Sequence, residues 1–373
     1  MRAVKVLAVA MLIAAAAAMP PKGAELAGYT FDQFAVDFGR TYKAGTDEYA
    51  DRKKLFEAKK AEAVAHNADG KHSWTKGINQ FSDMTEDEFK GVLGGKMHEQ
   101  WALRADSMAK ASTFKASGAA VPETVDWRLR APSVLTGVKD QGQCGSCWAH
   151  ASTENIETHW AIRTGQLFTL SQQQVTACAP NPNQCGGVGG CGGSIAQLAY
   201  DYVAQAGIAE EWSYPYTAYE GTTGTCKSTI KQTVVNVTGY TNVASNDQAA
   251  VMEALATQGP LAINVAAMPW QAYTGGIFTG CDYSKNITID HVVQLVGYGH
   301  DWSVNMDYWI VRNSWSPAWG ENGYIRVARH ATPECGWDVN PQDGTACKGS
   351  PAQLWSCGVC GLLFDTSFPN VHA

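Results

Sequence analysis

Eleven cysteines in a chain of 373 residues constrain the fold more than any other feature. In an oxidising compartment most of them pair, and an odd number leaves at least one thiol over. The start of the chain points to that compartment. Arg2 and Lys5 precede an apolar run from Val6 to Ala18, and the small residues Ala16 and Ala18 suit signal-peptidase cleavage, so 1–18 reads as a signal peptide. A buried N-terminal helix is the competing reading of that run. It is too short for a comfortable membrane span, and no later stretch reaches the roughly 18 apolar residues that one needs, so a soluble exported chain without a membrane anchor is expected. Cys144-x-x-Cys147 and Cys357-x-x-Cys360 imitate the halves of a zinc ribbon. Ribbon halves are usually about 15–20 residues apart and these are far more widely separated, so no metal is expected.

The net charge of −7 is unevenly spread. Residues 1–120 hold 17 Lys and Arg against 15 Asp and Glu, a balance of +2; residues 121–373 hold 11 against 20, a balance of −9. No basic stripe marks a nucleic-acid surface. A basic front and an acidic body attract each other weakly.

Texture divides the chain further. Residues 25–95 read as a helical unit, with charged and apolar residues three to four apart from Tyr29 to Gly95, no proline, and a helix start at Ser82-Asp83-Met84-Thr85. Residues 96–120 thin to Ala, Ser, Lys and Gly, the composition of an accessible linker where proteolytic nicking concentrates. At Val121 a compact part, 121–373, begins. Helices are expected after Cys147 up to a stop at Gly165, from Leu170 to Val175 and from Ile195 to Ala206, with a glycine-rich knot, Cys185 to Gly193, between the last two. Beyond about Thr233 strands are expected at Val234–Val237, Leu261–Val265, His291–Val296, Tyr308–Val311 and Gly323–Val327. Helices first and strands later predict an α+β fold of two subdomains with a cleft between them.

Three residues have the chemistry to work in such a cleft. Cys147 opens a helix, whose positive end lowers a thiol pKa. His291 starts an apolar strand, and Asn313 ends another. Singly they read as half of a disulfide, a satisfied core histidine and a turn asparagine. Together they match a thiolate, the base that generates it and the group that orients the base.

With their surroundings, these residues resemble the papain family of cysteine proteases. The matching segments are Gln141-Gly-Gln-Cys-Gly-Ser-Cys-Trp148; Asp290-His291 with Gly297-Tyr-Gly299; and Asn313-Ser-Trp315 with Trp319-Gly-Glu-Asn-Gly-Tyr324. The histidine lies 144 residues after the cysteine and the asparagine 22 after the histidine, in the family's order. The resemblance implies a papain-like fold and a cysteine endopeptidase working on protein and peptide substrates without a cofactor. Cys147 would be the nucleophile, His291 its ion-pair partner, Asn313 the orienting group shielded by Trp315, and Gln141 an oxyanion donor. Gly192 and Gly193 would line the substrate channel, and Asp290 and Trp319 belong to the same matching segments.

The front unit resembles the family's inhibitory propeptide. Glu48, Arg52, Phe56 and Asn67 fall on one of its helix patterns, although Lys59 and Ala63 replace two members, and Gly77-x-Asn79-x-Phe81-x-Asp83 completes a second motif. The resemblance implies a zymogen whose linker, 96–120, lies backwards through the cleft and is cut between about Ala111 and Val121. Protonation of Asp83 and nearby carboxylates would loosen it in acid.

By the same resemblance, disulfides join Cys144 to Cys191, Cys178 to Cys226 and Cys281 to Cys360. Cys185, Cys335, Cys347 and Cys357 remain, with three possible pairings; three of them belong to a stretch longer than usual in papain-like sequences, an extra stapled loop. The sequons at Asn236 and Asn286 predict glycosylated surface loops. A monomer open to cystatin-type inhibitors is expected, in an acidic lysosome- or vacuole-like compartment or outside the cell.

Three positions depart from the family pattern. His150 follows Cys-Trp-Ala, as in the carboxypeptidase cathepsin X, and is read here as a packing or hydrogen-bonding residue. Ser316 replaces a glycine. Asp365 falls at the floor of the pocket for the substrate's P2 side chain, otherwise lined by Ile195, Ala196, Asn264, Ile289 and Val292. A carboxylate there accepts a basic P2 residue alongside Leu or Phe; the alternative turns Asp365 to solvent.

Overall fold

The computed structural model describes residues 23–94, 111–227, 230 and 232–371. The expected signal peptide and most of the linker lie outside them. The front unit contains helices α1 (Phe31–Asp37), α2 (Asp47–Asp69) and α3 (Glu86–Leu93), with strand β1 (Trp74–Lys76) between α2 and α3. An entirely helical front is therefore corrected: Trp74–Lys76 pairs antiparallel with a strand of the body, a tertiary partner that its own period does not reveal. The α3 start follows the sequence signal. Thr85 accepts from the Glu88 N–H at 3.2 Å while the Glu88 carboxylate accepts from the Thr85 N–H at 2.8 Å, a reciprocal cap. Leu26, Phe31, Phe34, Phe56, Ala63 and Ile78 form this unit's own core.

Strands β2 (Ser112–Phe114) and β3 (Val125–Asp126) lead into the body. Its first half is helical, with α4 (Cys147–Thr164), α5 (Gln172–Cys178) and α6 (Ala196–Ala206). Its second half holds β4 (Tyr240–Val243), α7 (Gln248–Thr257), β5 (Leu261–Val265), β6 (Tyr273–Phe278), β7 (His291–Asp301), β8 (Met306–Arg312) and β9 (Tyr324–Ala328). The hairpin β10 (Cys335–Asp338) and β11 (Leu354–Cys357) and the last strand, β12 (Thr366–Pro369), complete it. The main sheet runs β1-β6-β9-β8-β7-β5-β12-β4-β2, with β3 against β7. Residues from before Val121 thus form both ends of that path.

Two expectations fail here. Val234–Val237 forms only an isolated bridge, Val235 to Ile208, and the strand lies at β4 instead. Helix α7 interrupts a region read as strands. Its Ala-rich sequence is capped by Asp247, which accepts from the Ala250 N–H at 3.0 Å.

Helix α4 separates the two body cores. One core gathers Trp148, Ile156, Val175, Tyr200 and Val203 against it; the other fills the sheet side with Leu261, Ile263, Tyr298, Trp309 and Ile325. Because α4 has no solvent face over most of its length, its polar residues are buried and must be paired. Glu154 meets Arg312 at 3.3 Å and Glu157 meets Lys139 at 2.6 Å.

Five disulfides join Cys144–Cys191, Cys178–Cys226, Cys185–Cys347, Cys281–Cys360 and Cys335–Cys357. Cys147 is the free cysteine. Among the described residues no helix is long and apolar enough to cross a membrane, and no His, Cys, Asp and Glu cluster suits a metal ion. Asn236 and Asn286 are both exposed.

Candidate active site

Cys147 opens α4 at the junction of the two cores. Its approach is held by the Cys144–Cys191 disulfide and by a bridge between Gly145 and Gly192. His291 is the first residue of β7 and Asn313 follows the last residue of β8. Antiparallel pairing of these strands brings the two together, and His291 Nε2 donates to Asn313 Oδ1 at 2.9 Å. The Trp315 ring stacks on the imidazole at 4.9 Å and is fully buried, which keeps water from that bond. His291 Nδ1 is buried without a hydrogen-bond partner, so a proton acceptor remains free on the neutral ring.

Gln141 is oriented from both ends of its amide. Its Oε1 accepts from Ser314 Oγ at 2.6 Å, and its Nε2 donates to the Cys144 carbonyl at 2.9 Å and the Val92 carbonyl at 2.8 Å. Ser314 was not singled out from the sequence; its position beside Asn313 was the only signal.

Val92 belongs to the front unit, and its neighbours continue the contact. The Cys147 thiol donates to the Leu93 carbonyl at 3.5 Å. A Cβ built on Gly193 would lie 2.8 Å from the Gly94 carbonyl oxygen, and one on Gly145 would lie 2.4 Å from Gly94 Cα. Only a chain of glycines packs that closely. The residues against the Cys147 thiol are therefore Val92–Gly94, the end of α3 and its cap, which the sequence reading had placed in the helical unit rather than in the blocking segment. The linker expected in the cleft lies outside the described residues up to residue 110, and β2 pairs parallel with β4.

The front unit is fastened around this contact. Phe81 and Phe89 each set a ring 5.4 Å from Trp315. Gln80 donates to the Trp315 carbonyl at 2.8 Å, and Asn79 to the Gln271 carbonyl at 2.6 Å. Lys59, which departs from the family helix pattern, donates to Gln271. Asp83, buried, accepts from Arg40 Nε at 2.8 Å, Arg40 Nη2 at 3.0 Å and the Tyr42 hydroxyl at 2.9 Å.

Occlusion changes the electrostatics expected of a helix N-terminus. Burial pushes the Cys147 thiol up, to about 12, against the N–H groups of Val292, Trp148 and Cys147 itself, which pull it down. Burial pushes His291 down, to about 4, against its bond to Asn313. The covered pair is held neutral, because neither charge is solvated there.

The other predicted positions divide into groups. Trp319 is buried beside Trp315, ring centroids 5.0 Å apart. Asp290 is turned into the body, accepting from the Ala267 N–H at 2.8 Å, and burial raises it to about 8. Ala196 and Val292 pack with Cys147 in the helical core, whereas Ile195 packs with the Cys185–Cys347 disulfide and Ile289 lies in the sheet core. Asp365 is half-buried and its carboxylate is held by side chains. It accepts from Asn264 Nδ2 at 2.6 Å and from Gln197 Nε2 at 2.8 Å, and burial raises it to about 6. Gln197 was not among the sequence candidates. His150 packs edge-on against Tyr216, and its Nδ1 pairs with the Ser146 carbonyl at 3.0 Å. Burial holds it neutral, down at about 3.

Comparison with known proteins follows the same division. Residues 121–343 match the model of papain family cysteine proteases, and residues 31–89 match that of the cathepsin propeptide inhibitor domain. Fruit bromelain of Ananas comosus is 35% identical over 345 residues, covering 92% of this chain and 86% of bromelain. Human cathepsin L2 is 36% identical over 302 residues, covering 78% and 85%. Among solved structures, a recombinant stem bromelain precursor superposes with a TM-score of 0.70 at 33% identity, covering 92% of this chain and 98% of its own. Procathepsin L 3 of Tenebrio molitor does so with a TM-score of 0.70 at 29% identity, covering 91% and 97%.

Proposed function

Because this chain belongs to the papain family of cysteine proteases, an endopeptidase made behind its own propeptide inhibitor domain, we propose that Cys147 is its nucleophile and His291, Asn313 and Gln141 complete the machinery. Once Val92–Gly94 leave, water returns to the cleft and the proton can pass from Cys147 to His291. The thiolate attacks the scissile carbonyl carbon, and the oxyanion is held by the Gln141 side-chain amide and the Cys147 N–H. His291 then protonates the departing amine, leaving an acyl-enzyme. It next takes a proton from water, whose oxygen attacks the thioester carbonyl and releases the thiolate. Asn313 keeps the imidazole oriented throughout.

The observation that carries this reading is the occupied cleft: one peptide segment lays the Val92 carbonyl on Gln141 Nε2 and the Leu93 carbonyl on the Cys147 thiol, so both groups reach a peptide backbone lying there. The test is labelling of mature protein with an epoxysuccinyl reagent. One equivalent on Cys147, with hydrolysis lost in Cys147→Ala, is expected; hydrolysis surviving in that variant would remove Cys147 from the chemistry.

Asp365 sets the P2 preference in this reading. Asn264 and Gln197 hold its carboxylate in place, and an Arg or Lys at P2 would pair with it, alongside Leu or Phe against Ile195, Ala196, Ile289 and Val292. An unchanged ratio of kcat/KM for P2 Arg and P2 Leu peptides in Asp365→Ala would take Asp365 out of the pocket.

Activation is assigned to acid. Arg52 holds the Glu88 carboxylate down, at about 2. A carboxylate lowered on folding lends stability above its unfolded value, near 4.5, and that stability is lost as the pH falls toward 2. Acidification thus weakens the front unit's hold. A precursor that stays latent and uncut from neutral pH down to about 4 would overturn this trigger. Cleavage between Ala111 and Val121, passage through the secretory route to an acidic or extracellular site, glycans on Asn236 and Asn286, a monomeric mature enzyme and cystatin-type inhibition complete the reading. The five disulfides support the secretory route.

A further inference from the structure

Gln141 and the Cys147 N–H lie at the two ends of one turn, and a loop carrying Tyr216 closes that turn from behind. The Tyr216 hydroxyl donates to the Gln141 carbonyl at 2.9 Å, beside the Cys144 N–H at 3.4 Å. That uses its one proton, so the Ser146 hydroxyl donates to the Tyr216 oxygen, at 2.7 Å. Two hydroxyls thus bridge the turn from Gln141 to Ser146. His150 supports the same end. Its Nδ1 donates to the Ser146 carbonyl at 3.0 Å, and its ring stands edge-on to Tyr216 with centroids 5.0 Å apart.

The Tyr216 loop is itself anchored. The Thr217 and Ala218 N–H groups both donate to Gln173 Oε1 on α5, at 2.8 and 2.9 Å. The Gln143 N–H donates to the Tyr219 carbonyl at 2.8 Å, and a Cβ built on Gly142 would lie 2.3 Å from that oxygen. Packing alone does not hold the turn, because a polar cavity of about 300 Å³, lined by Asp140, His150 and Tyr216 among others, lies behind it. A turn backed by such a cavity has room to relax unless hydrogen bonds fix it. Burial raises the Tyr216 hydroxyl above its ordinary value, so it stays protonated and remains a donor.

We propose that Tyr216 is a positioning residue for the oxyanion site: through Ser146 and the Gln141 carbonyl it fixes the Gln141 side-chain amide relative to the Cys147 N–H. This rests on the protease reading, in which those two groups hold the oxyanion. Ser314 sets the far end of the Gln141 amide, and Tyr216 sets the backbone from which that side chain projects. A misplaced donor loses more of its bond to the charge that develops in the transition state than of its hold on the bound substrate. The hydroxyl therefore acts on kcat rather than on KM.

The test measures kcat and KM on one peptide substrate for matured wild type, Tyr216→Phe, Gln141→Ala and the two changes combined. Tyr216→Phe is expected to lower kcat about tenfold with KM within about threefold, short of the roughly 10²- to 10³-fold loss of a whole donor. In the Gln141→Ala background the same change is expected to cost less than about threefold, because no side-chain amide is left to misplace. Equal losses in both backgrounds would make Tyr216 a structural support only and overturn the proposal. So would a wild-type kcat in Tyr216→Phe, with or without a raised KM. Should Tyr216→Phe fail to mature, Ser146→Ala breaks the same bridge from its other end and carries the same expectations. Wild type that neither hydrolyses peptide nor takes the epoxysuccinyl reagent at Cys147 overturns the protease reading, and this proposal with it.

Discussion

Replacing Asp83 with Asn should unlatch the precursor without touching the cleft. The Asp83 carboxylate is 1% exposed and accepts two bonds from Arg40 and one from Tyr42. Breaking a buried charge pair by removing one partner costs about 3–5 kcal/mol. Arg40 is 21% exposed and keeps its 2.6 Å bond to the Gln80 carbonyl, so water and that carbonyl recover part of the loss. About 2–2.8 kcal/mol remains, and at 1.4 kcal/mol per factor of ten this is about a 30- to 100-fold rise in the released population. Gln80 transmits the change, because it also donates to the Trp315 carbonyl beside His291. The assay is the rate at which an epoxysuccinyl reagent labels Cys147 in uncut precursor at pH 7, since labelling requires Val92–Gly94 to leave. Asp83→Asn is expected to label about 30- to 100-fold faster than wild type, and the mature domains at equal rates. A precursor rate within threefold of wild type, with the front unit intact, would refute the claim that this buried pair latches the cleft.

The remaining predictions concern the mature body. Asp365, raised to about 6 by burial, is protonated in acid, so the kcat/KM ratio for P2 Arg over P2 Leu should rise as the pH increases through about 6 and stay level in Asp365→Asn. The stability linked to this group has the opposite slope: a carboxylate raised on folding stabilises below its unfolded value and is lost as the pH rises through about 6. Gln141→Ala should lower kcat by about 10²- to 10³-fold with little change in epoxysuccinyl-accessible Cys147, the loss typical of one oxyanion donor; steady-state kinetics on matured protein checks it. Ser316, at a φ of +75°, carries a conformation that costs an L-residue about 1–2 kcal/mol. Ser316→Gly should therefore raise stability by about 1 kcal/mol in urea denaturation, less its lost bond from the Ala318 N–H at 3.3 Å.

Much of the site was legible because its chemistry is local in sequence. Gln141 and Cys147 share one segment, and His291 and Asn313 sit at the ends of strands that their apolar runs locate. The Thr85 cap and the Gly165 stop follow from residues three or four apart. Trp74–Lys76 and Val234–Val237 were misread for the opposite reason. A short strand takes its identity from its partner, and neither partner, β6 for the first nor a missing one for the second, can be seen from the segment itself.

By itself, then, the sequence named candidate reactive groups, an odd thiol, the order of a largely helical front, a helical half and a largely stranded half, and three of the five disulfides by resemblance. Tertiary structure decided what only distance decides. It put Val92–Gly94 on the thiol, raising by burial a pKa that the helix end alone would lower. It gave Asp365 the partners Asn264 and Gln197, 101 and 168 residues away. It also resolved four cysteines into Cys335–Cys357 and Cys185–Cys347, the second joining halves of the body 162 residues apart. Charge state, pairing and reach depend on which groups exclude water from which others, and that is a property of the packed chain.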